Sequence, residues 1–577
     1  MGLTFVPTAN ARGEQLHVGE MDLEIIVGLD PGLLTSEQLV KVYIAQIQQV
    51  DENLHSIACL NRDAIYQARE RDAQRLAKNI IGSLHGVPIL VKDMFATLDA
   101  MPSTGGSLAL AGATFKREAT IITKLKESGA IILGKTNLSE WGMSRSNSCP
   151  NGWSALFGQA MGAYSENQDP QGSSSGSAIA MSMSFASATI GGETSGSILY
   201  PAQRNGVIGL KPSCGLTSRF GSVPINSFQD SIGPLTRRVK DGAIILQVIA
   251  EKDALDPETA NIPFDTIPDY PAACVPTALR GVRVAAPLCA LKVVNAESDV
   301  LAGWNSAISV IESLGAIVIE NIDFPEWRPS TGMREDLFDE IMLREGQAKF
   351  FANLDINPCN ISSTADVIEF LKTAPEERYD KFGASTFEAA RDAPGSSKSP
   401  AFVKSKEHMG HLGKEVARLL GEHDCDVMIG PSSMDMPLDL GGLPGISVPI
   451  GFYSTDRKAI TIQHGLITKG PNIPFSFTFV ARRFTEESLV GFAYAFEQAT
   501  LFLDAAKSNT VRRPTADLDT ETLVVDIAKL QIRDWLGKRK DRYFTPVILQ
   551  GVCESNCLNQ KPRHLSYDIF TTSACPH

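Results

Sequence analysis

The stretch from residue 171 to residue 212 reads QGSSSGSAIAMSMSFASATIGGETSGSILYPAQRNGVIGLKP. It opens on a Ser/Gly-rich loop, 171–177. The run from Ala178 to Ala188 is mostly Ala, Ser and Met, too small for a surface helix, and predicts a helix buried tightly against a sheet. A second small-residue loop follows at Gly191 to Ser197, and Gly206 to Leu210 reads as a strand. Working outward, Val87-Pro-Ile-Leu-Val91 is an apolar run ending at Lys92-Asp93, the pattern of a buried strand. Thr120 to Ser128 predicts a helix that stops at Gly129, and Ala130 to Leu133 a buried strand. Helix followed by apolar strand is the α/β rhythm. Leu39, Val40, Tyr43, Ile44 and Ile47 fall at helical spacing, with Ser36 or Thr35 as the N-cap, and Ala64 to Lys78 predicts a second helix. Between 255 and 400 helical segments such as 298–314 and 334–353 dominate; strands return near Val427 and Ile446, and a helix runs from Glu486 to Phe502.

Composition narrows the function classes. The chain has 577 residues, 43% hydrophobic and 21% charged, which is globular rather than disordered. A net charge of −13 makes it a poor generic partner for nucleic acid or an anionic membrane surface. No apolar run reaches the length of about 18 residues expected of a membrane span. The opening MGLTFVPTANARGEQLHVGE has neither the basic start nor the apolar core of a secretory signal, and Val6 stands where a myristoylation signal needs Ser or Thr. A cytoplasmic protein is the expectation. Ten scattered cysteines fit a reducing compartment. Cys553 and Cys557 lack regularly spaced companions, and His408 and His411 have no acidic residue between them, so no metal is expected.

The two Ser/Gly loops carry the chemistry. As a phosphate loop the first fails, because no Lys-Ser/Thr follows a G-x4-G spacing, and a dinucleotide G-x-G-x-x-G is absent there. Gly172-Ser-Ser-Ser-Gly176 does match the G-x-S-x-G nucleophile elbow, with Ser174 at its centre. An elbow needs a strand just before the serine, and the polar, Pro-containing 165–172 segment does not make one.

The whole arrangement resembles the amidase signature family. The likeness rests on Ser197-Ile198, Pro201-Ala202, Gly209-Leu-Lys-Pro212 and a 24-residue interval from Ser173 to Ser197. Leu84 to Asp93, Gly134 to Trp141, Asp230 to Thr236, Leu443 to Pro449 and Phe496 to Ala499 fit it as well, so it covers roughly 30–505. Gly152-Trp-Ser154 with the Gly-Ser-Ser-Ser-Gly-Ser loop is most similar to peptide-amidase-like members.

The resemblance implies an α/β fold with a large central mixed sheet covered by helices on both faces. It implies a Ser–cis-Ser–Lys triad: Ser197 as nucleophile, Ser173 as the bridging serine after a cis Gly172–Ser173 bond, and Lys92 as base. A lysine near its reference pKa of about 10.4 cannot take a proton at neutral pH, but one desolvated at the end of an apolar strand can. Taken alone, Lys92 would more simply be salt-bridged to Asp93, and Ser197 would more simply cap a helix. Backbone N–H groups around Thr194, Ser195, Gly196 and Ser197 are the expected oxyanion hole, and Ser174 is grouped with the substrate-binding residues. Neither metal nor organic cofactor is implied.

Departures from the pattern are Gln171 and Ser175 in the first loop, Gly192 and Ser195 in the second, and Leu199 where many relatives carry Arg, which argues against a small anionic substrate. The segment Pro471 to Ser476 also departs and leaves strand pairing there open. The expected organisation is an N-terminal segment 1–30, the amidase signature domain 31–507 with a substrate-shaping helical region at about 255–400, and a C-terminal extension 508–577, in which Val524 to Leu536 suits an amphipathic helix. The expected activity is hydrolysis of a neutral small-molecule or peptide amide. The alternatives are an ammonia-generating subunit of a tRNA-dependent amidotransferase and a biosynthetic amidase for a larger natural-product amide.

Overall fold

Eleven strands of the computed structural model hydrogen-bond into one mixed sheet. Residues 21, 23–27, 34–293, 295–322, 336–431, 435–502 and 510–517 are described. In order across the sheet the strands are Ile57–Leu60, Ile131–Thr136, Pro88–Lys92, Ala188–Glu193, Ser231–Thr236, Ile208–Lys211, Gly445–Phe452, Pro474–Val480, Val427–Pro431, Arg283–Ala285 and Ile317–Ile319. Pro88–Lys92 runs parallel to both of its neighbours. Every residue of Pro88–Lys92 and of Ala188–Glu193 is buried, which is why they read as continuous apolar or small runs rather than alternating ones. Because these two strands are parallel and adjacent, Lys92 and Glu193 finish at the same, carboxyl end of the strands, where ligands of open α/β sheets bind.

Pro474–Val480 resolves the pairing left open by the sequence: it lies between Gly445–Phe452 and Val427–Pro431, antiparallel to both. Phe475, Phe477 and Phe479 join Leu489 and Phe496 of the Glu486–Thr500 helix and Trp304 and Ile311 of the Ser298–Ser313 helix in one core. Fully burying such an aromatic side chain contributes about 1.5–3 kcal/mol. Strand alternation sends Ser476, Thr478 and Val480 to the other face. There the Leu199–Arg204 helix packs, with Leu199 and Thr478 both against Gly445. Helices therefore cover both faces.

Several boundaries differ from the sequence reading. The small-residue helix is Ser175–Ser182, not 178–188: Ser184 sits at φ 59, which ends it, and Ala188 already starts a strand. The helix has small residues because it lies against backbone. A Cβ on Gly176 would fall 2.3 Å from the Ser56 carbonyl oxygen and 2.5 Å from that of Asn137. Gly191 to Glu193 belongs to the strand, so the second loop is 194–197. Of the two candidate N-caps, Thr35 forms the capping box with Gln38, while the Ser36 N–H bonds Asp72. Two short strands enter the sheet from the 255–400 region. Leu23 and Ile26, inside the expected N-terminal segment, are in the core. Residues 510–517 lie on the body, the Ala516 carbonyl accepting from Gln46 Nε2 at 2.9 Å. Val524 to Leu536, Cys553 and Cys557 fall outside the described residues. Among the described residues no helix is long and apolar enough to cross a membrane.

A buried ion cluster ties the helical region to the body. Arg145 Nη1 donates to Glu140 Oε1 at 3.0 Å and Glu377 Oε2 at 3.1 Å, and all three side chains are inaccessible to solvent. Nη2 and Nε add bonds to the carbonyls of Glu377 and Gly383 at 2.7 and 2.9 Å. Burial and the facing Glu377 carboxylate hold Glu140 well above the usual carboxylate range, against the pull of Arg145. Arg145→Met leaves two buried acids facing each other and is expected to cost about 3–5 kcal/mol in urea unfolding. A loss under about 1 kcal/mol, the range of a surface pair, would contradict this account.

Candidate active site

Lys92 is the last residue of its strand and is wholly buried. Its Nζ donates to the Gly192 carbonyl and to Ser174 Oγ, both at 3.0 Å, and lies 2.7 Å from Ser173 Oγ. Asp93 is turned away: its carboxylate accepts from Thr104 N and Oγ1 and from Gly106 N. Among the described residues Lys92 forms no ion pair. Burial pushes its ammonium down to about 7, with the Glu193 and Asp230 carboxylates pulling the other way. The neutral amine has two N–H donors and one lone pair. With Gly192 O and Ser174 Oγ taking the donors, the lone pair is left for Ser173.

Ser173 follows a cis Gly172–Ser173 peptide bond. A Cβ on Gly172 would fall 2.2 Å from Ser139 Oγ, so a larger residue would have to displace that hydroxyl. The Ser139 N–H holds the Ser173 carbonyl at 3.1 Å, and the Ser174 N–H holds the Ser197 carbonyl at 3.1 Å, which brings the two loops side by side. Ser197 is 6% exposed. The Ser174 side chain, expected among the substrate-binding residues, is fully buried; it accepts from Lys92 Nζ and donates to the Gly192 carbonyl at 3.2 Å. Its place before a helix, with a loop rather than a strand preceding it, removes the nucleophile-elbow reading.

Two carboxylates hold the 194–197 loop, and the sequence reading assigned a role to neither. Glu193 Oε2 accepts from Ile198 N at 2.6 Å and Leu199 N at 2.9 Å. Burial raises its pKa; the Lys211 charge and the N–H groups of Leu199, Ile198 and Gly196 oppose that. Thr194 Oγ1 donates to Asp230 Oδ1 at 2.6 Å, and Asp230 also accepts from Ile225 N and Asn226 N. Burial raises Asp230 too, against these bonds. The signal for both was present: Glu193 occupies the acidic position of the motif and Asp230 opens the 230–236 segment.

Gly196 has φ 71, and a Cβ there would fall 2.4 Å from the Tyr200 ring. Gly196→Ala is therefore strained by backbone and neighbour together, at about 1–3 kcal/mol for the left-handed conformation alone. We expect kcat to fall at least about tenfold, the equivalent of about 1.4 kcal/mol, as the loop shifts. Full activity would show that the loop tolerates the shift.

The departures have physical reasons. At Gly192 a Cβ would meet Met94 Sδ at 2.8 Å, so a methionine fills the space a threonine would need. Ser175 Oγ donates to the Gln171 carbonyl and closes the first loop, with Gln171 at φ 59. Leu199 is packed with Leu438, Leu443 and Val480 and offers no charge to the site. Beside Ser173, Trp141, Gly142 and Met143 run left-handed at φ 54, 66 and 68. Such strained stretches cluster at functional sites. Among the described residues no group of three or more His, Cys, Asp or Glu side chains could hold a metal ion, and His408 is exposed on the Pro400–Leu412 helix.

Known proteins resemble this chain. A family model described as Amidase matches residues 38–490. A protein named "Putative amidase" from Arthroderma benhamiae is 38% identical over 468 residues, 80% of this chain and 78% of that relative. One named "Probable amidase" from Arabidopsis thaliana is 37% identical over 487 residues, 83% of this chain and 89% of the relative. The native peptide amidase of Stenotrophomonas maltophilia superposes with a TM-score of 0.75 at 31% identity, covering 89% of this chain and all of that structure.

Proposed function

Because this chain belongs to the amidase signature family of amide-hydrolysing enzymes, we propose that it cleaves a neutral or peptide-like carboxamide to the acid and ammonia through a Ser–cis-Ser–Lys relay. The observation that carries this reading is the Lys92–Ser173 pair at 2.7 Å, with the lysine buried and, among the described residues, paired with no carboxylate. Neutral Lys92 takes the Ser173 proton as Ser173 takes that of Ser197, and Ser197 Oγ attacks the carboxamide carbon. The backbone N–H groups of Thr194, Ser195 and Ser197 stabilise the oxyanion; that of Gly196 is drawn toward Glu193. When the tetrahedral intermediate collapses, the proton held by Lys92 passes back through Ser173 to the departing nitrogen, which leaves as ammonia. Water then attacks the acyl-Ser197 ester, losing a proton to the same relay, and releases the acid.

The leucine at 199 supports an uncharged substrate, since no cation stands there to anchor a carboxylate. The test is ammonia release from acetamide, free glutamine, N-acetylated amino acid amides and a C-terminally amidated peptide. Release from the neutral amides ahead of glutamine is expected. Preference for glutamine would favour the ammonia-generating alternative, and release from none would sink the reading.

A further inference from the structure

The loop 225–230 is wedged between the catalytic serines and the helical region. At one end Ile225 lies against Gly142: a Cβ on that glycine would fall 2.7 Å from Ile225 Cδ1 and 3.8 Å from Ser173 Oγ. At the other end Asp230 grips Thr194 of the nucleophile loop. Between them Phe228 packs on Phe338 of the Asp336–Phe351 helix, ring centroids 5.4 Å apart.

Gln229 sits in this loop, 2% exposed. Its carboxamide orientation is set by its neighbours. Asn226 accepts the Phe228 N–H through Oδ1 and donates through Nδ2 to Asp339 Oδ1 at 2.6 Å, so the atom that Asn226 Nδ2 also meets, at 2.8 Å, is the Gln229 oxygen. The Gln229 Nε2 therefore points away from Asn226, and among the described residues no acceptor meets it. Burying an amide donor without a partner is unfavourable. It is explained if the acceptor arrives with the substrate.

We propose that Gln229 Nε2 is a specificity-determining donor for a second carbonyl of the substrate, that of an acylamino or peptidyl group next to the scissile carboxamide. This rests on the carboxamide-hydrolase reading and narrows it from amides in general to N-acylated amino acid amides and peptide amides. The scissile carbonyl is claimed by the nucleophile loop.

The experiment compares kcat/KM for N-acetyl-phenylalaninamide and for the same amide with its acetamido group replaced by propyl. It uses the full chain and the variants Gln229→Met and Gln229→Glu. The glutamate variant keeps an oxygen for Asn226 while removing the donors. The native enzyme is expected to prefer the acetylated amide, and both variants to reduce that preference about tenfold, the worth of one neutral hydrogen bond. A preference that does not move assigns the donor a bound water only and overturns the proposal. An equal loss on both amides assigns Gln229 a purely structural role and overturns it too. A native enzyme inert to both amides overturns the carboxamide-hydrolase reading itself, a result distinct from either.

Discussion

Ser197→Ala is expected to lower kcat for ammonia release by about 10⁴–10⁶-fold, the scale seen when a nucleophile that acts as part of a unit is removed. The reason is geometric. The Ser174 N–H fixes the Ser197 carbonyl at 3.1 Å, and Glu193 fixes the turn that follows through Ile198 and Leu199. Alanine leaves these backbone bonds in place, so the loop and the substrate contacts survive while the attacking oxygen is gone. KM should therefore change far less than kcat, and a fluorophosphonate probe that labels the native enzyme should no longer react. Retained turnover in Ser197→Ala, with loss in Ser174→Ala instead, would reassign the nucleophile.

Lys92→Met should cost about 10²–10⁴-fold, the usual contribution of a positioned general base. Its pH signature separates this role from a structural one. Burial pushes the Lys92 pKa down to about 7, and only the neutral amine can accept a proton. In the native enzyme kcat/KM should rise about tenfold per pH unit below that value and level off above it. The limb should vanish in Lys92→Met, leaving a flat, low profile. A native profile that is flat from pH 5 to pH 9 on the order of measurement error would remove Lys92 from the relay.

The proposed catalytic constellation was more legible than its supports. Lys92, Ser173 and Ser197 could be picked out because a short motif carries each residue with its neighbours, and the structure gathers those three motifs beyond the end of the Lys92 strand. Glu193 and Asp230 stood inside recognised motifs, yet their work of holding backbone N–H groups and the Thr194 hydroxyl depends on where the chain folds back. Ser174 shows the limit most plainly. Three consecutive serines are chemically identical in sequence, and only the turn after Gly172 sends one hydroxyl to the relay position, the next to the far side of the lysine and the third back to Gln171.

By itself the sequence determined the α/β class, the buried strand that ends at Lys92, the small-residue helix and the spacing of the two serine loops. These follow from local causes: continuous apolar runs make buried strands, and glycine or serine sits where backbone approaches backbone. The tertiary structure alone decided the central place of Pro474–Val480 in the sheet, the buried Glu140–Arg145–Glu377 cluster and, among the described residues, the unpartnered donor of Gln229. Each depends on groups distant in sequence, Glu377 lying 232 residues from Arg145, and on the desolvation that occurs only once those groups have met.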